Sequence, residues 1–149
     1  MKRILPLLLV SISLLSSCGT QEETSTSTSK KPYYIEVENL HSKWEDLFNQ
    51  NNNNYFIYIY SLGCYTCSML REDVINYALK DDTNFYFVYP EDDIAFTSDE
   101  ELAKASLGAT SIENVYCYVT PTLIEINNGI VANYLNDYYQ IRDIVKKGS

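Results

Sequence analysis

The stretch Tyr55-Phe56-Ile57-Tyr58-Ile59-Tyr60-Ser61-Leu62-Gly63-Cys64-Tyr65-Thr66-Cys67 decides how the rest of the chain is to be understood. Residues 55–60 are an unbroken apolar and aromatic run, the pattern of a strand covered on both faces in the middle of an α/β sheet. Cys64 and Cys67 then follow at C-x-x-C spacing. From about Cys64 to Lys80 the apolar positions Cys67, Leu70, Val74, Tyr77 and Ala78 recur at helical spacing, which predicts a helix with one buried face. The cysteines thus stand where a buried strand hands over to a helix N-terminus. Unpaired backbone N–H groups and the positive end of the helix dipole favour a thiolate there. Cys64, at the lip of the first turn, is expected to be exposed, and Cys67, on the seam, to be buried and to face it.

Outward from this centre the chain alternates. Residues 33–37 read as a first strand and residues 41–49 as a short helix carrying Trp44, Leu47 and Phe48 on one face. Beyond the cysteine helix, residues 85–89 form a second buried strand closed by Pro90, and an acidic loop, Glu91-Asp92-Asp93, follows. Ser98 with Glu101 makes a capping box for a helix that Gly108 stops. Residues 115–119 read as a strand, and residues 122–126 and 130–134 as two more around an Asn128-Gly129 turn. Asp137 and Gln140 offer a cap for a last helix with Ile141, Ile144 and Val145 turned inward. The order β-α-β-α-β-α-β-β-α predicts an α/β fold, a mixed central β-sheet flanked by helices on both faces.

The N-terminus belongs to targeting rather than to the fold. Met1-Lys2-Arg3 is a positive n-region, and residues 4–15 are apolar but too short to span a bilayer as a helix. Leu15-Ser16-Ser17-Cys18 resembles a bacterial lipobox, which implies a signal peptide over residues 1–17 and a diacylglyceryl group on Cys18. Two acyl chains suffice for stable membrane anchoring. The Ser/Thr-rich residues 18–32 then serve as a flexible tether, and residues 33–149 as the folded domain. The expected location is extracytoplasmic, on the membrane through Cys18. A formal net charge of −9 argues against nucleic acid as a partner.

The pair Cys64/Cys67 supports reversible disulfide chemistry: an exposed thiolate attacks or is attacked, a mixed disulfide forms, and the buried partner resolves it. Two plainer roles stand beside it. One is a static disulfide, at home in an oxidising compartment. The other is half of a metal site, for which Cys117 and the single His41 are the remaining ligands; structural zinc normally needs four. For Cys117 the plain role is an inert buried thiol and the sharper one a third redox thiol. His41 reads as a surface or capping residue.

Two motifs carry a family resemblance over nearly all of residues 33–147. They are strand–Cys64-Tyr65-Thr66-Cys67–helix and Val119-Thr120-Pro121-Thr122-Leu123, the latter followed after a strand by Asn128-Gly129. Together they resemble the thioredoxin-like superfamily. The resemblance implies a thioredoxin-like fold in which Pro121 is cis and packs against the cysteine pair. It also implies that Cys64 and Cys67 are catalytic and that Thr120 and Pro121 bind substrate, the Thr120 backbone pairing with an extended chain. The chemistry would need no organic cofactor and no metal. Its partners would be protein or peptide thiols and disulfides, plus a redox partner that resets the pair. The departures are specific: Gly63 stands where thioredoxins carry Trp, Tyr65-Thr66 replaces Gly-Pro, and Tyr58 stands where they place a buried Asp. The function expected is a membrane-tethered thiol–disulfide oxidoreductase acting on secreted or envelope proteins. A thioredoxin-like accessory module, such as those of bacteriocin export, and a metal-binding lipoprotein are the alternatives.

Overall fold

The computed structural model of the chain describes residues 34–80, 83–89 and 93–147. The signal segment, Cys18 and the tether lie outside them, as do Tyr33, Pro90, Glu91 and Asp92. Four strands form one mixed sheet: β1 (Asn54–Ile59), β2 (Phe85–Val88), β3 (Thr122–Asn127) and β4 (Ile130–Leu135), in the spatial order β2-β1-β3-β4. β1 runs parallel to β2 and antiparallel to β3, and β3 and β4 form an antiparallel hairpin. Three helices accompany them: α1 (Tyr65–Ala78), α2 (Glu100–Lys104) and α3 (Tyr138–Lys147).

The central run behaves as a doubly covered strand. Tyr58 and Tyr60 point into one core cluster, with Cys67, Leu70 and Val74 of α1 and Ile141 and Val145 of α3. Tyr55, Ile57 and Ile59 point into the other, with Trp44, Leu47, Ala103 of α2, Val115 and Cys117. That alternation is the period-two geometry of a pleated strand. On α1 the buried positions are Cys67, Leu70, Val74, Ile75 and Ala78, with Ile75 taking the place expected for Tyr77. Asn128 (φ 51°) and Gly129 (φ 75°) make the β3–β4 turn with two left-handed residues, which suits the strand twist and explains the Asn-Gly pair. Asp137 Oδ1 accepts from the backbone N–H groups of Tyr139 (2.9 Å) and Gln140 (3.1 Å), capping α3 as its sequence suggests.

Four local expectations are corrected. Residue 34 onward is no strand: Tyr34–Leu40 is a 3-10 helix kinked at Val37. Its buried residues, Tyr34 and Val37, are three apart, while Ile35, which a strand would place on the same face as Val37, is 74% exposed. Residues 41–49 are no helix beyond the 3-10 turn Trp44–Asp46, because the preceding residues run along β2. There the Ser42 N–H donates to the Phe87 carbonyl at 2.8 Å. Residues 115–119 are not a strand of the sheet. They lie over one of its faces, joined to another segment by a single Phe96–Cys117 bridge. β1 already has β2 and β3 as neighbours, and the outer side of β4 is occupied where Gly108 N–H donates to Val131 O and Val131 N–H to Ala109 O, each at 2.9 Å. The observed order is therefore β-α-β-α-β-β-α. Finally, Asp99 rather than Ser98 caps α2, its Oδ1 accepting from the N–H groups of Glu101 (3.0 Å) and Leu102 (3.2 Å).

Candidate active site

Cys64 is the N-cap of α1, in extended backbone conformation (φ −81°, ψ 117°), and Cys67 lies within the first turn. The two are joined as a disulfide, with Cα atoms 5.2 Å apart. Cys67 is 1% exposed and sits in the α1 core cluster, whereas Cys64 is half-buried at its edge. An attacking group from solvent therefore reaches Cys64 before Cys67. The Cys67 backbone N–H donates to the Cys64 sulfur at 3.0 Å. In the reduced pair the same amide, with the helix dipole behind it, stabilises negative charge on Cys64.

Across from the pair lies the loop leading into β3. The Thr120–Pro121 peptide bond is cis, in agreement with the expectation from the family resemblance. The Thr120 carbonyl oxygen lies 3.1 Å from the Cys64 sulfur. In the disulfide that sulfur has no proton to give; as a thiol it would donate there. The Thr120 hydroxyl is within 3.1 Å of the Ser61 hydroxyl, which ties this loop to the one carrying Cys64. Ser61 drew no notice in the sequence, since its partner is 59 positions away. Leu62 (68% exposed), Tyr65 (79%) and Val119 (38%) leave apolar surface near the two loops.

Tyr58, at the position where a carboxylate is absent, is fully buried in the cluster that holds Cys67. Burial pushes its pKa well above the ordinary tyrosine value, so the phenol keeps its proton at neutral pH and does not act as a base. Among the described residues no Asp or Glu is buried. Tyr34 stacks on Tyr60 with ring centroids 3.7 Å apart, and its hydroxyl is likewise pushed up, to about 12, chiefly by burial.

Cys117 is not brought to the pair. It is fully buried in the cluster on the other face of the sheet, with Val119 O at 3.3 Å and Thr122 Oγ1 at 3.7 Å from its sulfur. Burial raises its pKa from 9.0 to about 11, which suits an inert thiol. The sign of the pH effect follows. Above pH 9 the unfolded chain releases this proton while the folded chain holds it until about pH 11, so the stability from a neutral buried thiol is lost as pH rises through that window. The loss is on the order of 2 kcal/mol. Urea midpoints measured across this range are expected to fall less steeply for Cys117→Ala than for the parent; parallel curves would refute the assignment. His41 is also distant in sequence from the cysteines, yet it lies beside Tyr60, its Nε2 2.8 Å from the Tyr60 hydroxyl. Among the described residues no group of three or more His, Cys, Asp and Glu is placed to hold a metal ion.

No protein-family model matches the chain, and no curated protein matches it. Among solved structures it is similar to the reduced thioredoxin pre-protein of Schistosoma mansoni, at 21% identity over 73% of this chain and 96% of that one, with a TM-score of 0.47. It is also similar to thioredoxin f2 of Chlamydomonas reinhardtii, at 12% identity over 72% and 94% of the two chains, with a TM-score of 0.47. A third is the N21Q thioredoxin of Halobacterium salinarum, at 18% identity over 72% and 88%, with a TM-score of 0.46. The sheet order, the bonded pair at the head of α1 and the cis Pro121 facing it are the chain's own features, and they agree with the thioredoxin-like fold that the two sequence motifs lead one to expect.

Proposed function

We propose that the chain is a protein thiol–disulfide oxidoreductase whose redox pair is Cys64 and Cys67, held outside the cytoplasm by a lipid on Cys18 and acting on secreted or envelope proteins. The observation that carries the redox reading is the disulfide at the N-cap of α1, with the Thr120 carbonyl 3.1 Å from its outer sulfur. As oxidant, the bonded pair takes a substrate thiolate on the Cys64 sulfur; the Cys64–Cys67 bond breaks and Cys67 leaves as a thiolate. A second substrate thiolate then displaces Cys64, so the substrate gains a disulfide and the pair two electrons and, on protonation, two protons. As reductant the same steps run backwards. Either direction needs a partner of the thiol or disulfide class to reset the pair. Thr120 and Pro121 are assigned to the substrate chain, the Thr120 backbone offering main-chain hydrogen bonds by strand addition. Support for the anchor comes from Leu15-Ser16-Ser17-Cys18 behind a charged and apolar leader. Among the described residues no helix is long and apolar enough to cross a membrane.

The test is Cys67→Ala in the full chain, expressed in its own envelope. With the resolving sulfur gone, several proteins are expected to accumulate as mixed disulfides on Cys64, released by dithiothreitol. A single stoichiometric adduct would replace turnover with an accessory role, and an envelope without adducts would overturn the redox reading.

A further inference from the structure

Beside the redox loop lies a second feature that the exchange chemistry does not use. A cavity of about 440 Å³ opens between the kinked Tyr34–Leu40 helix and the residues that follow β1 and β2. Tyr34, Ile35, Tyr60 and Tyr89 make an apolar and aromatic wall, and Glu38 and His41 complete it. The histidine has nothing left to offer. Both ring nitrogens are engaged: Nδ1 lies 3.1 Å from the Val37 carbonyl, to which it donates, and Nε2 lies 2.8 Å from the Tyr60 hydroxyl. Glu38 is different: it is exposed, it lines the cavity, and among the described residues its carboxylate forms no ion pair. The cavity is therefore a greasy slot whose rim carries one carboxylate without an ion pair among the described residues, on a chain of net charge −9; the Arg71 guanidinium lies 5.7 Å from the centroid of the Tyr34 ring. Its position is bounded by the backbone. Tyr60 precedes Cys64 by four residues, so their Cα atoms are at most about 14 Å apart, which an extended peptide spans in about four residues.

We infer that this cavity receives a lysine or arginine side chain of the polypeptide being exchanged, within about four residues of the cysteine that pairs with Cys64. The aliphatic stem packs along Ile35 and the half-buried Tyr89 ring, and the charged head reaches Glu38. A purely apolar side chain would fill the slot but leave the Glu38 charge unanswered, and an acidic one would be repelled. The similar cavity of about 450 Å³ between Trp44, Ala95 and Ile112 belongs to the opposite core cluster and is not part of this surface.

The inference rests on the redox reading, and its test keeps the two apart. Short peptides with a central cysteine, disulfide-linked to a fluorescent thiol, carry lysine, norleucine or glutamate at positions within about four residues on either side. They react in single turnover with protein whose Cys64–Cys67 disulfide has been reduced by dithiothreitol and then freed of it, so that each released fluorescent thiol is matched by a reoxidised pair. With the parent protein, the second-order rate constant is expected to be about five- to tenfold higher for the best lysine peptide than for its glutamate counterpart, with norleucine between. Glu38→Gln should bring lysine down to the norleucine level, and Glu38→Lys should invert the order in favour of glutamate. Glu100→Gln, on α2, should leave the order unchanged. Exchange with every peptide at one rate, or a preference that ignores Glu38, would overturn the pocket while leaving the redox reading intact; no exchange with any peptide would overturn the reading itself. Were Lys30 or Lys31 of this same chain the occupant, Lys30→Gln/Lys31→Gln would sharpen the lysine preference. An unchanged preference is expected.

Discussion

Cys64→Ser is expected to abolish disulfide exchange, lowering the rate by roughly a thousandfold or more, while leaving the domain folded. The expectation separates chemistry from architecture because Cys64 serves both. As the N-cap of α1, its sulfur accepts the Cys67 N–H at 3.0 Å. A serine hydroxyl makes the same kind of bond and is among the best N-caps known, so the helix keeps its start. What is lost is the sulfur that forms the mixed disulfide. Far-ultraviolet circular dichroism should be unchanged, thiol–disulfide turnover should be at background, and no adduct should form even when Cys67→Ala is added. Residual turnover within tenfold of the parent would mean that Cys67, 1% exposed, is attacked directly and that the order of events is wrong.

Phe87→Ala is expected to cost about 3–5 kcal/mol of folding stability, the largest loss foreseen for a single residue away from the redox pair. Phe87 is fully buried in β2, with the rings of Phe85 at 5.2 Å, His41 at 5.6 Å, Tyr34 at 5.8 Å, Tyr58 at 6.0 Å and Tyr60 at 6.2 Å between centroids. It joins the sheet, the Tyr34–Leu40 helix and the strand end that carries the redox loop. Removing the ring leaves a cavity whose walls are stiff aromatics with little freedom to close it. Against a typical total of about 5–15 kcal/mol this is a large share. Phe87→Leu, which keeps most of the volume, should cost less than about 1.5 kcal/mol. Urea denaturation followed by tyrosine fluorescence measures both. A loss under about 1 kcal/mol for Phe87→Ala would mean that the neighbouring rings close the space left behind.

The parts of the molecule legible in the sequence were those with a strong period or an obligatory residue. The run from Tyr55 to Tyr60 announces a doubly covered strand, the seam on α1 announces its helix, and Asn128-Gly129 announces the hairpin. Thr120-Pro121 beside a C-x-x-C was legible through family resemblance, not through periodicity. The segments misread are short ones whose conformation is set by a distant partner. Tyr34 and Val37 looked like alternating strand residues, but Tyr34 stacks on Tyr60, and Ser42 is held by Phe87. Cys117 sits in an apolar run that propensity makes a strand; with both sides of β1 already paired, it packs as a cover instead. The Ser61–Thr120 and His41–Tyr60 contacts join residues 59 and 19 positions apart, and no local pattern marks either.

Each rim of the sheet is met at one residue by another part of the chain. Ser42 takes the Phe87 carbonyl on one side, and Gly108 with Ala109 takes both main-chain groups of Val131 on the other. A stray strand arriving at either of those points finds the Phe87 carbonyl and the main-chain groups of Val131 already taken, which blunts edge-to-edge pairing there.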